Sequence, residues 1–346
     1  MKQAPLVLRL QARAARALMR LPTPVLFRLA GGRRVERGGC VLDERIQFML
    51  ALAEGLGRGT VSTDATVAER RRALDLDSLV FAPTSPPLES VTDLRVNERI
   101  AVRIYRPRGL SARAPGVVYI HGGGFTLGSL DSHDPVCRAL ANDVSAILVA
   151  VQYRLAPEHP FPAAADDVTE AFRWVTREGT RWGIDPSRVA VAGDSAGGNL
   201  AAVVALDTRG DVHPPRLQAL IYPAVDQTMS FPSLHVMAKG FILELETIRW
   251  FRENYVPDVN ARKNPRASPW FADVTGAPPA LVQTAGFDPL RDEGEGYAEK
   301  LRAAGVAVTA RRYPSLVHGY LSLTGYFPAT REPWNDLVTA LRAALK

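Results

Sequence analysis

The chain has 346 residues, 47% hydrophobic, 23% charged and 8% aromatic, which fits one large α/β domain with an accessory part or two ordinary domains. This composition excludes wholesale disorder, collagen-like repeats and a membrane bundle, because no stretch approaches the roughly 20 apolar residues that a span requires. The net charge of +6 is concentrated at the start: residues 1–37 hold nine basic side chains against Glu36 alone, so the remainder is net negative and a nucleic-acid groove is not expected.

Arg9 and Arg13 interrupt every apolar core that could serve as a secretion signal. Only two cysteines occur, Cys40 and Cys137, too few for a disulfide framework or a cysteine-based metal site. Together these features point to the cytoplasm. Arg9, Arg13, Arg16 and Arg20 recur at helical spacing opposite Leu6, Leu10, Ala14, Ala17 and Leu18. A helix packing its apolar side on the body of the protein is expected. A basic amphipathic helix making peripheral contact with an anionic membrane is the alternative.

A second helix is expected from Asp43 to Glu54, with Ile46, Met49, Leu50 and Ala53 on one face and Gly55, Gly57 and Gly59 ending it. The Pro-rich run Ala82 to Pro87 then marks a boundary. Beyond it, strands alternate with helices. The expected strands are Leu94–Val96, Ile100–Tyr105, Gly116–Ile120, Ala146–Tyr153, Arg188–Ala192, Leu217–Tyr222, Ala280–Thr284 and Val306–Tyr313. Amphipathic stretches at Asp166–Arg177 and Trp334–Leu345 read as helices between and after them. Continuously apolar strands in β-α-β succession predict a mostly parallel, doubly wound sheet covered on both faces. More than fifty residues separate the strands near Tyr222 and Ala280, too many for a plain crossover. Leu245, Ile248, Phe251 and Tyr255 mark a helix in this insert, which leaves from the strand ends where such sheets bind ligands. The expected organisation is an N-terminal helical cap segment (1–85), a core (86–227), a cap insert (228–266) and the rest of the core (267–346).

Gly193-Asp194-Ser195-Ala196-Gly197 fits G-x-S-x-G between a strand and a helix, the context that motif requires. The flanking glycines permit the sharp turn that would expose Ser195, and the Ala196 N–H would face an oxyanion. His121-Gly122-Gly123-Gly124 ends another strand and presents backbone N–H groups unobstructed by side chains. Neither glycine run has the spacing of a nucleotide-binding loop. A serine nucleophile needs a histidine base and an acid, in the chain order Ser, acid, His for this layout. Of six histidines, His121, His133 and His159 precede Ser195, while His213 and His235 leave little room for a strand bearing the acid. His318 remains. Asp288 lies at a strand end between the two, and Asp292 and Glu293 compete with it. His121 is expected to fix the glycine loop by hydrogen bonding.

HGGGF at 121–125, YRLAPEHPFPAA at 153–164, GDSAGG at 193–198, DPLRDEG at 288–294 and HGY at 318–320 together resemble the hormone-sensitive-lipase-like family of α/β-hydrolase esterases and lipases, in its bacterial GDSAG branch. The resemblance covers about residues 85–346. It implies an eight-stranded, mainly parallel sheet with a helical cap, and a triad of Ser195, Asp288 and His318. It also implies oxyanion donors at Gly123, Gly124 and Ala196. Tyr320 departs from the commoner phenylalanine after HG, a change bearing on packing or pocket polarity. The expected activity is hydrolysis of short- to medium-chain carboxylic esters through an acyl-enzyme intermediate, with no metal or cofactor. A membrane-associated lipase and a non-catalytic receptor on the same scaffold are the other readings. Relatives of this kind often pair through the sheet edge, so a homodimer stays open.

Overall fold

The computed structural model describes residues 13–55, 65–78, 80, 81 and 83–346. The beginning of the expected basic helix, with Leu6, Arg9 and Leu10, lies outside them, as do Gly57, Gly59 and Ala82. Eight strands form one sheet: β1 (Ser90–Arg95), β2 (Ala101–Arg106), β3 (Ala114–Ile120), β4 (Ile147–Gln152), β5 (Ile184–Asp194), β6 (Gln218–Ile221), β7 (Ala280–Phe287) and β8 (Val308–Val317). Their order across the sheet is β8-β7-β6-β5-β3-β4-β2-β1. β2 runs antiparallel to both β1 and β4, and the other neighbours are parallel.

Alternation along the strands sorts the core into two faces. Tyr119, Leu148, Ala192 and Ile221 point to one side. The helices Asp134–Val144 and Arg331–Ala344 cover that side, burying Leu140, Val144, Leu337 and Leu341. Val118, Ile120, Val149, Val191 and Leu220 point to the other. There the helices Ala163–Glu178, Ala196–Asp207 and Arg291–Ala303 pack, with Val168, Phe172 and Val175 at the expected helical spacing. Each such side chain contributes about 1.5–3 kcal/mol by leaving water. Both faces need cover because the strands are apolar on both.

The topology creates the site. β3 lies between β4 and β5, so the chain leaves β3 and β5 in opposite directions across the sheet and opens a crevice at their carboxyl ends. The register places Ile120 opposite Gly193, Asp194 opposite Ile221, Ile221 opposite Gln283 and Phe287 opposite Val317. Hence His121, Ser195, Asp288 and His318 all emerge from one edge of the sheet.

Several elements differ from the sequence reading. The first helix stops after residue 18, and Pro22 and Pro24 start a separate helix, Thr23–Leu29. Arg16 turns inward, donating to the Val80 carbonyl at 2.6 Å and lying over the Tyr326 ring, whereas Arg13 and Arg20 stay exposed. A helix at Val67–Asp77 occupies what reads as a polar stretch. It is started by a capping box in which Thr66 and Glu69 satisfy each other's backbone N–H groups. Finally, β7 and β8 run three to four residues past their expected ends, through Gly286 and Pro314. Pro314 is tolerated because β8 is an edge strand with a register shift there.

The N-terminal segment and the insert between β6 and β7 meet. Arg37 donates to the Lys239 carbonyl at 3.0 Å, and the Arg70 guanidinium lies 4.2 Å from the centroid of the Trp250 ring. Among the described residues, no helix is long and apolar enough to cross a membrane.

Candidate active site

Ser195 stands between β5 and the helix Ala196–Asp207 with φ 56° and ψ −119°, a conformation that costs a non-glycine residue on the order of 1–3 kcal/mol. The turn holds because its neighbours leave no alternative. The Ser195 N–H donates to Ile221 O at 2.8 Å, and its carbonyl accepts from Ala224 at 3.2 Å and Asn199 at 3.1 Å. A Cβ at Gly193 would collide with the Gly197 carbonyl, and one at Gly197 with that of Ile120. Both motif glycines are therefore required by close backbone approach. Asn199, one turn along the helix, is buried and donates to Ala224 O at 2.6 Å and Ala267 O at 2.9 Å, tying both ends of the insert to the serine turn.

His318 follows β8 directly and lies 2.9 Å through Nε2 from Ser195 Oγ. Its Nδ1 is 2.8 Å from Asp288 Oδ2. Asp288 is fully buried just past β7, where its other oxygen accepts the Leu290 N–H at 2.8 Å. The three side chains predicted from the sequence are thus brought together across 123 residues of chain.

The competing acids are engaged elsewhere. Asp292 accepts from Arg291 Nε at 2.8 Å and its N–H bonds to Ser233. Glu293 accepts the N–H groups of Val225 and Asp226 at 2.7 and 3.1 Å, holding the chain just after β6. Burial pushes the Glu293 carboxyl well above the usual carboxylate range, with the nearby Asp226 adding to the effect.

The glycine loop after β3 lies beside the serine. The N–H of Gly122 donates to Asp194 Oδ1 at 3.0 Å, so the following amides, at Gly123 and Gly124, are the ones left to a ligand. Both residues have positive φ, +116° and +60°, and a side chain at Gly123 would strike the Leu127 carbonyl. Ala196 begins its helix, so its N–H also faces outward at the positive end of the helix dipole. These backbone groups thus adjoin the Ser195 hydroxyl and the His318 ring at the carboxyl ends of the strands.

His121 is fully enclosed. Its Nδ1 lies 2.8 Å from the Gly122 carbonyl and its ring stacks on Tyr153 at 4.4 Å. Burial, with His133 nearby, lowers its pKa to about 3 and keeps the imidazole neutral. The Tyr320 hydroxyl donates to Gln283 at 3.0 Å, so the extra oxygen is used inside the core. Its ring packs on Tyr222, which in turn lies against His318.

Sequence reasoning gave no role at the site to Asp194, Tyr119, His133, Asn199 or Phe251, reading Phe251 as one face of the insert helix and setting His133 aside as the base. Of these only Asp194 stood inside a recognised motif.

Residues 117–322 match a protein-family model described as the alpha/beta hydrolase fold. The chain is 41% identical to the carboxylic ester hydrolase LipN of Mycobacterium tuberculosis, over 94% of this chain and 89% of that protein. It is 37% identical to the ethyl acetate hydrolase of Pseudomonas putida, over 80% and 90% of the two chains. A hyperthermophilic esterase from the archaeon Pyrobaculum calidifontis superposes with a TM-score of 0.80 at 40% identity, covering 85% of this chain and 97% of the other.

Proposed function

The chain belongs to the alpha/beta hydrolase fold family, in its hormone-sensitive-lipase-like esterase group, and is a carboxylic ester hydrolase; from that premise we propose that Ser195, His318 and Asp288 are its catalytic triad and that short- to medium-chain esters are its substrates. One observation carries the assignment: the continuous contact from Ser195 Oγ to His318 Nε2 and from His318 Nδ1 to Asp288 Oδ2.

In this reading Ser195 Oγ attacks the ester carbonyl carbon while His318 Nε2 accepts its proton. Asp288 holds the imidazole tautomer and stabilises the imidazolium without taking the proton itself. The carbonyl oxygen, now negative, is received by the N–H groups of Gly123, Gly124 and Ala196. Each such donor is worth roughly 3–4 kcal/mol in the transition state. Collapse expels the alcohol with a proton from His318 and leaves an acyl-serine. Water, deprotonated by the same histidine, then releases the acid.

We assign the cap role to the N-terminal helices and the 228–266 insert, supported by their mutual contacts and by Phe251, which lies against the glycine loop. Two buried thiols, Cys40 and Cys137, neither paired, support a reducing compartment such as the cytoplasm.

Hydrolysis of p-nitrophenyl esters from acetate to palmitate, with Ser195→Ala beside the wild type, tests the reading. A maximum at short or medium chains that vanishes in the variant supports it. A maximum at long chains replaces the substrate class with lipids, and full activity of Ser195→Ala overturns the triad.

A further inference from the structure

The residue before the nucleophile has work of its own. Asp194 is buried, and its Oδ1 accepts from Tyr119 Oη at 2.8 Å and from the Gly122 N–H at 3.0 Å, with His133 Nε2 at 3.4 Å. His133 is buried too; its Nδ1 lies 2.8 Å from Ser132 Oγ, which donates to Ser129 O and accepts from Ser129 N. A Cβ at Gly122 would sit 2.5 Å from Asp194 Oδ2, so loop and carboxylate are in full contact.

The loop is therefore held from two sides. Thr126 and Leu127 donate their N–H groups to the Gly123 carbonyl, and Thr126 Oγ1 donates to that of Gly124. On the amide side, the side-chain acceptor is Asp194. By occupying the Gly122 N–H it also decides which glycines remain free to donate. The same residue is joined by one peptide bond to Ser195, so the nucleophile and the loop share a single anchor. That anchor is electrostatically expensive, because a buried carboxylate near the oxyanion opposes its charge. Burial pushes Asp194 upward, but His133, Tyr119 and Gly122 outweigh it and leave its pKa below the usual range.

We propose that Asp194 and His133 are positioning residues for the oxyanion site: Asp194 fixes the Gly122 peptide so that the Gly123 and Gly124 N–H groups meet the tetrahedral oxygen, and His133 holds the Asp194 carboxylate in place through Nε2. The proposal rests on the triad and oxyanion reading above.

The test compares Asp194→Ala, Asp194→Asn, His133→Gln and the double variant Asp194→Asn/His133→Gln on p-nitrophenyl butyrate. Inhibition by an alkyl trifluoromethyl ketone, which forms a tetrahedral adduct at the serine, is read alongside. In Asp194→Ala, kcat falls roughly 100-fold, on the scale of a lost oxyanion donor, while KM stays put. The inhibitor weakens by the same factor as kcat/KM. Asparagine keeps an oxygen for Gly122 and Tyr119 and restores most of the rate. His133→Gln deprives the buried carboxylate of a partner, a cost the neutral amide of Asp194→Asn does not carry, so the double variant recovers activity.

Wild-type kcat in folded Asp194→Ala, a loss confined to KM, or unchanged inhibitor binding overturns the proposal. If Asp194→Ala does not fold by near-ultraviolet circular dichroism, the double variant decides: no recovery over His133→Gln overturns it. Ser195→Ala run in parallel separates the two levels, since turnover there refutes the underlying triad and not the positioning.

Discussion

Gly124 presents its backbone directly to the ring of Phe251: a Cβ built there would fall inside the ring's Cγ, Cδ1 and Cδ2 atoms. Phe251 belongs to the insert helix Leu245–Tyr255, whose preceding residue, Trp250, lies under Arg70 from the N-terminal segment. The insert thus meets the glycine loop through one ring and the N-terminal segment through the adjacent one. Gly124→Ala must displace the ring or the loop, and its φ of +60° adds strain. A fall in kcat of about 100-fold or more, with normal folding, is the expected result in steady-state kinetics.

Removing the ring should act on the substrate instead. Phe251→Ala opens space above the loop, so the ratio of kcat/KM for octanoate to acetate esters rises. One added methylene in an apolar pocket is worth about 0.8 kcal/mol, or roughly fourfold, so room for one or two more raises the ratio about 4- to 15-fold. An unchanged chain-length profile would place the acyl pocket elsewhere.

The acid is tested by an isosteric change. Asp288→Asn preserves the volume of a fully buried side chain but presents an amide to His318 Nδ1. The imidazole is then held in the wrong tautomer, and kcat should fall by about 10⁴-fold with little change in KM. Asp292→Asn, which alters only a contact with Arg291, leaves the rate within about threefold. Equal losses in the two variants would reopen the choice of acid.

Much of this site was legible in the sequence for a physical reason. Glycines 193 and 197 stand where no Cβ fits, and the chain order of Ser195, Asp288 and His318 follows from strands ending on one edge. The strands were readable because parallel strands are apolar on both sides. The helix Val67–Asp77 was not, since only Arg70 on it is buried and no apolar stripe marks it. Its signal was the Thr66–Glu69 pair. The partnership of Asp194 with Gly122 and His133 was also hidden, because it arises from the register of β3 against β5 and from no spacing along the chain.

Two buried groups predict opposite pH dependences of stability. His121 has its pKa lowered to about 3 by burial, so between about pH 6.5 and 3 the unfolded chain binds a proton that the folded chain refuses. Stability is lost as pH falls through that window, by up to about 1.4 kcal/mol per pH unit. His121→Phe, which can keep the stack on Tyr153, should flatten urea midpoints between pH 6.5 and 4. A variant as acid-sensitive as the wild type would refute this.

Glu293 works the other way. Burial raises its pKa, so its contribution is full below the unfolded value near 4.5 and declines as pH rises toward the folded value. Glu293→Gln keeps an oxygen for the Val225 and Asp226 N–H groups and cannot ionise. It should gain stability over the wild type at pH 8 relative to pH 5, as measured by thermal melting. An equal difference at both pH values would mean that Glu293 is charged in the fold.

The central claim is that Ser195 carries the acyl group. Rapid acid quenching during turnover of p-nitrophenyl butyrate, followed by peptide mass mapping, tests it most directly. The account predicts a butyryl mass increase on the peptide containing Ser195, absent in Ser195→Ala, and an initial burst of p-nitrophenol when deacylation is slower. Turnover with no acyl adduct on Ser195, or an adduct on another residue, would contradict it.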